Sequence, residues 1–381
     1  MPFRSAGFHA FRNLKDADVD VDAERIFLIG ENGQGKTNFL EALYYLCCGT
    51  SFRGQVDAFI PSAGASGFGL RAVWKEGSAG AGAAQGGIPD ENVAVVVEDS
   101  VKEIKLNDKV LRDRKELIFH SPAVVFCHED FAFAAGDPER RRFFFDQCAG
   151  MISLSYIESL RAYKRVLKQR NAALKEGARE ILEVLDPQFA RYGLELMEAR
   201  RGIHDLFRGS FSELYEKVAE LGEMVELDYA PSWPARADSA TILEILAARR
   251  DGEILMGTTR SGPHRDRWNF SSGGQFFTEK ASTGQLRLVS LVLRIVETKV
   301  YADYARWAAS GPKWPVLLLD DVLLELDPGK RKRFMDLLPG EGSGAQAFFT
   351  FLPGEPWTEY SGGDTIVYKV NDGGFTDKER F

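Results

Sequence analysis

Apolar positions in the first part of the chain fall in short runs, whereas those in the middle recur at helical steps. Residues 26–29 (Ile-Phe-Leu-Ile) form one such run, closed by Gly30, the pattern of a strand buried on both faces. Good helix formers follow from Thr37 to Leu46 without a breaker, so strand, glycine-bearing turn and helix succeed one another directly. Residues 69–75 and 93–98 read as strands, with the Gly/Ala-rich stretch 77–87 as a flexible hairpin connection between them. Residues 101–111 predict another hairpin, turning at Asn107-Asp108.

From about Asp137 to Leu221 the period changes. Asp186-Pro187 reads as a helix start, with Asp as cap and Pro in the first turn. Beyond it Phe189, Tyr192, Leu196, Ala199, Ile203, Phe207, Phe211, Leu214, Val218 and Leu221 draw one apolar stripe. The stripe predicts a helix of roughly 35 residues, about 50 Å long, with Gly193, Gly202 and Gly209 as places where it bends or breaks. A turn-rich patch (229–234), a short helix (240–250), an apolar helix (285–301) and buried strands at 315–319 and 345–351 complete the pass. The pattern predicts an α/β head split into residues 1–125 and 250–381, with a mainly helical domain, 126–249, inserted.

Composition changes this picture little. At 381 residues, 44% hydrophobic and 27% charged, the chain is ordinary for a globular protein and large enough for a self-sufficient core. No apolar run approaches a membrane span, and Met1-Pro2-Phe3-Arg4 leads into strand-like sequence without a secretory h-region. Cys47, Cys48, Cys127 and Cys148 show neither a CxxC pair nor metal spacing, and are expected as reduced, mostly buried thiols of a cytoplasmic protein. Charge matters more. The net value is −8, yet residues 139–170 carry eight basic side chains against three acidic ones. Indiscriminate polyanion binding is disfavoured, and a local basic patch is left open.

The chemistry begins at Gly30-Glu31-Asn32-Gly33-Gln34-Gly35-Lys36-Thr37, a full phosphate-loop pattern between strand and helix. Its glycines let several backbone N–H groups converge on one polyphosphate at a helix N-terminus; Lys36 reaches the β- and γ-phosphates and the Thr37 hydroxyl ligates Mg²⁺. The apolar strand ending in Asp320-Asp321 supplies the second half: Asp320 to hold Mg²⁺, Asp321 to orient the attacking water. Ser282-Thr283-Gly284-Gln285 precedes the apolar helix and offers an anion-binding end, which a plain helix cap explains about as well. Ser-His-Asp arrangements and nuclease metal clusters are not evident.

Phosphate loop, tetrad and acid pair in that order resemble the ATP-binding-cassette ATPases of chromosome maintenance, most closely the RecF family of bacterial recombination mediators, over nearly the whole chain. Phe11-Arg12-Asn13-Leu14 looks like that family's N-terminal segment, residues 30–38 like its phosphate loop, and Gly49-Thr50-Ser51-Phe52-Arg53 like the motif after the first helix. Glu139-Arg140-Arg141-Arg142-Phe143, Gly262-Pro263-His264-Arg265-Asp266, and Leu319-Asp320-Asp321-Val322 with Glu325-Leu326-Asp327 extend the likeness. Leu286, Leu324 and His128 depart from it, and Thr350 falls near where transporters place a switch histidine.

The resemblance implies a P-loop NTPase head of the ABC, Rad50-like kind with an inserted helical arm, in which Arg12 and Asn13 join the ATP site. It also implies an ATP-dependent homodimer in which Ser282, Gly284 and Gln285 of one copy close over the γ-phosphate held by the other. Slow hydrolysis, cytoplasmic and nucleoid-associated location, DNA as ligand, RecO and RecR as partners, and roles in recombinational repair, replication restart and SOS induction come with it. The alternative is another SMC- or Rad50-type head, which needs far longer arms; a transporter subunit and a small-molecule kinase fit the motifs less well.

For DNA the densest basic set is Arg140, Arg141 and Arg142 with Arg161, Lys164, Arg165, Lys168 and Arg170; positions 161, 164, 165 and 168 share one helical face. Residues 330–333 (Lys-Arg-Lys-Arg) are a second candidate. Phosphate neutralisation without base reading is the expected mode.

Overall fold

A computed structural model describes residues 3–75, 91–222, 224–307 and 314–381. The connection expected to be flexible, 77–87, lies outside them. In chain order come β1 (Phe3–His9), β2 (Ala17–Asp20), β3 (Arg25–Ile29), α1 (Lys36–Cys48), β4 (Gly67–Trp74), β5 (Glu91–Glu98), β6 (Val101–Leu106), β7 (Lys109–Val110), α2 (Arg114–His120) and β8 (Ala123–Phe126). Then follow α3 (Phe131–Ala135), α4 (Pro138–Ile152), α5 (Leu154–Glu176), α6 (Arg179–Ala219), β9 (Glu226–Ala230), α7 (Ser239–Met256), β10 (Arg267–Ser272), β11 (Gln275–Phe276) and α8 (Thr283–Trp307). The chain closes with β12 (Val316–Leu319), α9 (Pro328–Met335), β13 (Ala347–Phe351), β14 (Thr365–Asn371) and β15 (Gly374–Arg380). Two compact units divide it: Met1–Glu129 with Glu297–Phe381, and Asp130–Val296.

The first unit holds two sheets. One is antiparallel, in the order β2-β1-β4-β5-β6-β7; the other runs β15-β14-β3-β13-β12-β8 and is parallel except at β15. Strands β8, β12 and β13 are buried at every position, as suits sequences that are apolar throughout except at Thr350. Phe39, Leu40, Leu43 and Leu46 of α1 join Ile26, Leu28 and Phe348 of the parallel sheet and Phe8, Leu70 and Val95 of the antiparallel one in a single apolar core. Gln346 ties β1 to that core. Its amide oxygen accepts from Phe3 N at 2.7 Å, and its nitrogen faces the carbonyls of Phe3, Val21 and Ala23 at 2.7–2.9 Å. A buried amide with this many partners fixes register as well as satisfying itself. The hairpin at Asn107-Asp108 forms as expected, with φ of 47° and 65° at its two turn residues.

In the second unit the long stripe is one helix, but it does not start at Asp186-Pro187: α6 begins at Arg179 and runs through Pro187. Pro187 forfeits one helical hydrogen bond. Asp186, instead of capping, gives its carboxylate to Arg170 at 2.8 Å and to Arg250 at 3.1 Å. Gly193 lies against Trp233, where a Cβ would collide with the indole. The unit also extends to Val296, past position 249, because β10 pairs with β9 (Trp268 opposite Tyr229) and keeps the returning chain here. Phe145 stacks on Trp268 at 3.6 Å and packs edge-on to Phe207. All four cysteines are buried and none is in a disulfide. Among the described residues no helix is long and apolar enough to cross a membrane.

Candidate nucleotide site

The phosphate loop leaves β3 at Gly30, whose backbone lies so close to Val370 that a side chain would strike its carbonyl. Gly33 (φ 78°) and Gly35 (φ 110°) turn the chain into α1 through the left-handed region, where only glycine is unstrained. The Lys36 ammonium is buried and donates to the carbonyls of Gly30 at 2.6 Å and Glu31 at 3.0 Å. Asn13 donates to Gly33 O at 3.1 Å, and Asn38 to Asn13 Oδ1 at 2.7 Å. The turn between β14 and β15 braces the loop from the other side: Gly373 N donates to Gln34 O at 2.9 Å, and Asp372 N to Gln34 Oε1 at 2.6 Å.

Beside the loop, β12 delivers Asp320 and Asp321. Thr37 Oγ1 donates to Asp320 Oδ1 at 2.9 Å, so the two residues expected at Mg²⁺ meet. Burial pushes the Asp320 carboxyl up to about 6; the Thr37 hydrogen bond opposes that shift and the Asp321 charge adds to it. Thr350, on the neighbouring β13, reaches both acids.

Glu41 was not foreseen. This fully buried carboxylate on α1 receives Arg12 bidentately (3.0 and 2.8 Å) and Ser51 Oγ at 2.5 Å, with Arg53 at 3.4 Å. Arg12 gives its remaining Nη1 to Phe59 O at 2.9 Å. Of the two residues the resemblance put at ATP, Asn13 thus touches the loop, and Arg12 joins α1 to the segment after it. A fully buried acid on the helix leaving a phosphate loop needs a cation, and Arg12 and Arg53 in the flanking motifs were the available signal.

In the second unit, Ser282 N donates to Gln285 Oε1 at 2.7 Å and Gln285 N lies 3.3 Å from Ser282 Oγ. This is a reciprocal capping box at the start of α8. Ser282, Thr283 and Gly284 are exposed, and a Cβ at Gly284 would meet nothing within 4 Å. Nothing among the described residues requires glycine there.

No family model matches the chain. Among curated proteins it is 39% identical over 367 residues to the DNA replication and repair protein RecF of Treponema pallidum (strain Nichols), covering 95% of this chain and 97% of that protein. The same protein of Leptospira interrogans (strain 56601) is 31% identical, with 92% of each covered. The chain belongs to the RecF family. A solved structure of the recombination mediator protein RecF with ATP, from the RecFOR pathway, superposes on this RecF-family chain with a TM-score of 0.83 at 25% identity, covering 99% of it and 97% of the other. An Smc head bound to the C-winged helix domain of ScpA shares the fold, with a TM-score of 0.58 at 15% identity and coverage of 100% and 98%. The fold is that of the ATP-binding ABC-type ATPases, and the family is one of DNA replication and repair proteins.

The basic set of this RecF-family chain divides. Arg161, Lys164, Arg165 and Lys168 are exposed on α5, and Arg140 is exposed on α4. Arg141 and Arg142 are half-buried, donate to the carbonyls of Ala134 and Asp266, and have their pKa lowered by burial. Arg170 is fully buried between Asp186 and Glu253. Around α9, Lys330 pairs with Asp327 and Arg331 donates to Leu326 O, while Lys332 is exposed.

The motif at 262–266 is scaffold. Asp266 is buried and accepts from Arg200 at 2.9 Å, Tyr229 at 2.6 Å and Ser232 N at 2.8 Å. Arg200 also grips Asp146 and the Pro263 carbonyl. Burial lowers the His264 pKa to about 4, so the ring is neutral at pH 7. Its Nε2 faces the Thr259 carbonyl at 3.1 Å, which only accepts, so Nε2 carries the proton and Nδ1 accepts from Tyr163 OH at 2.7 Å.

Proposed function

We propose that the chain is an ATP-gated, DNA-binding protein of recombinational repair, replication restart and SOS induction that dimerises on ATP and turns it over slowly. The observation that carries the reading is the meeting of Thr37 and Asp320 at 2.9 Å beside a phosphate loop shaped by left-handed glycines. These two hard oxygen donors fit magnesium. Among the described residues no cluster of three or more His, Cys, Asp and Glu could hold a metal by itself, so Thr37 and Asp320 would share the ion with oxygens from outside the chain. Bound Mg²⁺·ATP supplies the scissile phosphoanhydride and the charge neutralisation its cleavage needs.

Gly30 to Thr37 hold the polyphosphate through backbone N–H groups. Lys36 exchanges its two carbonyl partners for the β- and γ-phosphates. Asp321 orients the water. Ser282, Gly284 and Gln285 close over the γ-phosphate from a second copy, which accounts for an exposed glycine that nothing among the described residues requires. Arg140, Arg161, Lys164, Arg165 and Lys168 contact the phosphates of single-stranded, gapped or duplex DNA without reading sequence. RecO and RecR, partners in the pathway named for the solved relative, act with it in the cytoplasm, at the nucleoid.

The decisive experiment measures mass in solution with and without ATP and Mg²⁺, for the natural chain and for Ser282→Arg. Dimer gained with ATP and lost in the variant is expected; a natural chain that stays monomeric at saturating ATP would overturn the reading. In parallel, binding to gapped and intact duplexes across a salt series should weaken steeply with salt and strengthen with ATP.

A further inference from the structure

Asp320 and Asp321 have roles above; Thr350 has none, yet it touches both. Its hydroxyl oxygen lies 3.2 Å from Asp320 Oδ1 and 2.9 Å from Asp321 Oδ1, and it accepts the Asp321 N–H at 2.8 Å. A hydroxyl has one proton. With the Asp321 N–H on one lone pair, rotation about the Cβ–Oγ bond leaves that proton two destinations, Asp320 or Asp321, and not both. Thr350 is 4% exposed, so bulk water does not supply a second donor. The backbone is bent to keep the arrangement: Asp321 sits at φ 51°, in the left-handed region that costs a non-glycine residue about 1–2 kcal/mol. That turn is what points both the N–H and the carboxylate of one residue at one hydroxyl. On the other side, Asp320 Oδ1 already receives Thr37.

We propose that Thr350 is a positioning residue that couples cation capture at Asp320 to the orientation of Asp321. The inference rests on the roles given to the two acids in the proposed function. A cation taken on Asp320 Oδ1 would compete with the two hydroxyls, Thr37 and Thr350, that lie on that oxygen. When Asp320 is engaged, the Thr350 proton is committed to Asp321 Oδ1, which locks that carboxylate in one rotamer and leaves Oδ2 to hold the water. While Asp320 holds the proton, the Asp321 carboxylate loses the Thr350 donor. Thr350 thereby links the oxygen that would hold the cation to the carboxylate that would orient the water, through contacts of 3.2 and 2.9 Å.

Thr350→Val keeps the shape and removes the proton, Thr350→Ala removes it without the branched packing, and Thr350→Ser retains it. Steady-state ATP turnover and equilibrium binding of a fluorescent ATP analogue, each across a Mg²⁺ series, are measured on the full chain. For Val and Ala, kcat falls about 10- to 100-fold with KM and analogue affinity within about twofold of the natural chain. Ser restores kcat to within about threefold. Turnover of the Val and Ala variants at the natural rate overturns the proposal. So does a Ser variant as slow as Val, or a loss confined to KM, since packing around the methyl group would then be the cause. A natural chain that neither binds the analogue nor turns over ATP overturns the functional reading itself, an outcome separate from any difference among the variants.

Discussion

Two polar clusters in this chain use similar ingredients to opposite ends. Around Asp266 each carboxylate oxygen is filled, by Ser232 N on one side and by Arg200 and Tyr229 on the other, and Arg200 engages Asp146 as well. Around Asp320 the partners are shared or exchangeable: Lys36 rests on two main-chain carbonyls, and one Thr350 proton serves two acids. The first arrangement has nothing left to offer a ligand. The second can trade each partner for a phosphate, a cation or a water. Completeness of partners, rather than charge or histidine content, separates residues that hold this fold from residues placed to act.

That contrast can be broken at either end. The largest effect is expected at Arg200→Met, which strands the buried Asp266 and the partly buried Asp146 and lowers stability by about 3–5 kcal/mol in a urea titration. Lys36→Met should weaken ATP binding by roughly 100-fold, about 3 kcal/mol by calorimetry, while moving stability by no more than about 1 kcal/mol. A Lys36 variant as unstable as the Arg200 one would abolish the distinction.

The pH dependence sharpens it. His264 stays neutral in the fold down to about 4, whereas in the unfolded chain it titrates near 6.5. Its contribution is complete above 6.5 and is lost as pH falls toward 4, on the order of 3 kcal/mol. Denaturation of His264→Gln at several pH values should show that window flattened. Two glycines give the smallest effects, of opposite sign. Gly193→Ala overpacks Trp233 and costs about 1–3 kcal/mol. Gly284→Ala, in open space at the start of α8, gains up to about 1 kcal/mol by thermal melt and at the same time reduces ATP-dependent dimer.

The parts legible in the sequence are those whose meaning is local. β3, the glycine loop and α1 lie within about twenty consecutive residues, and β12 announces itself by an apolar run ending in two acids. Pairings between distant segments left little trace. The turn of β14 and β15 against the phosphate loop, the return of β10 to β9, and Glu41 between Arg12 and Arg53 depend on which strand or motif lies next to which. Pro187 misled for a related reason: Asp186, read as its cap, is instead held from outside that helix, by Arg170 and Arg250. Arg170 and Arg142 belong to the basic set considered for DNA, and only the fold shows them turned to acids and a carbonyl.

The brace at Gly373 has a bearing on how the protein is made. The loop encoded near residue 33 is held by a turn near residue 373, so some 340 residues of synthesis separate a motif from its support. A ribosome-bound chain carrying only the first strands and α1 has the motif but lacks the wall that shapes it. The wall that shapes the loop thus arrives only once the turn between β14 and β15 has been made.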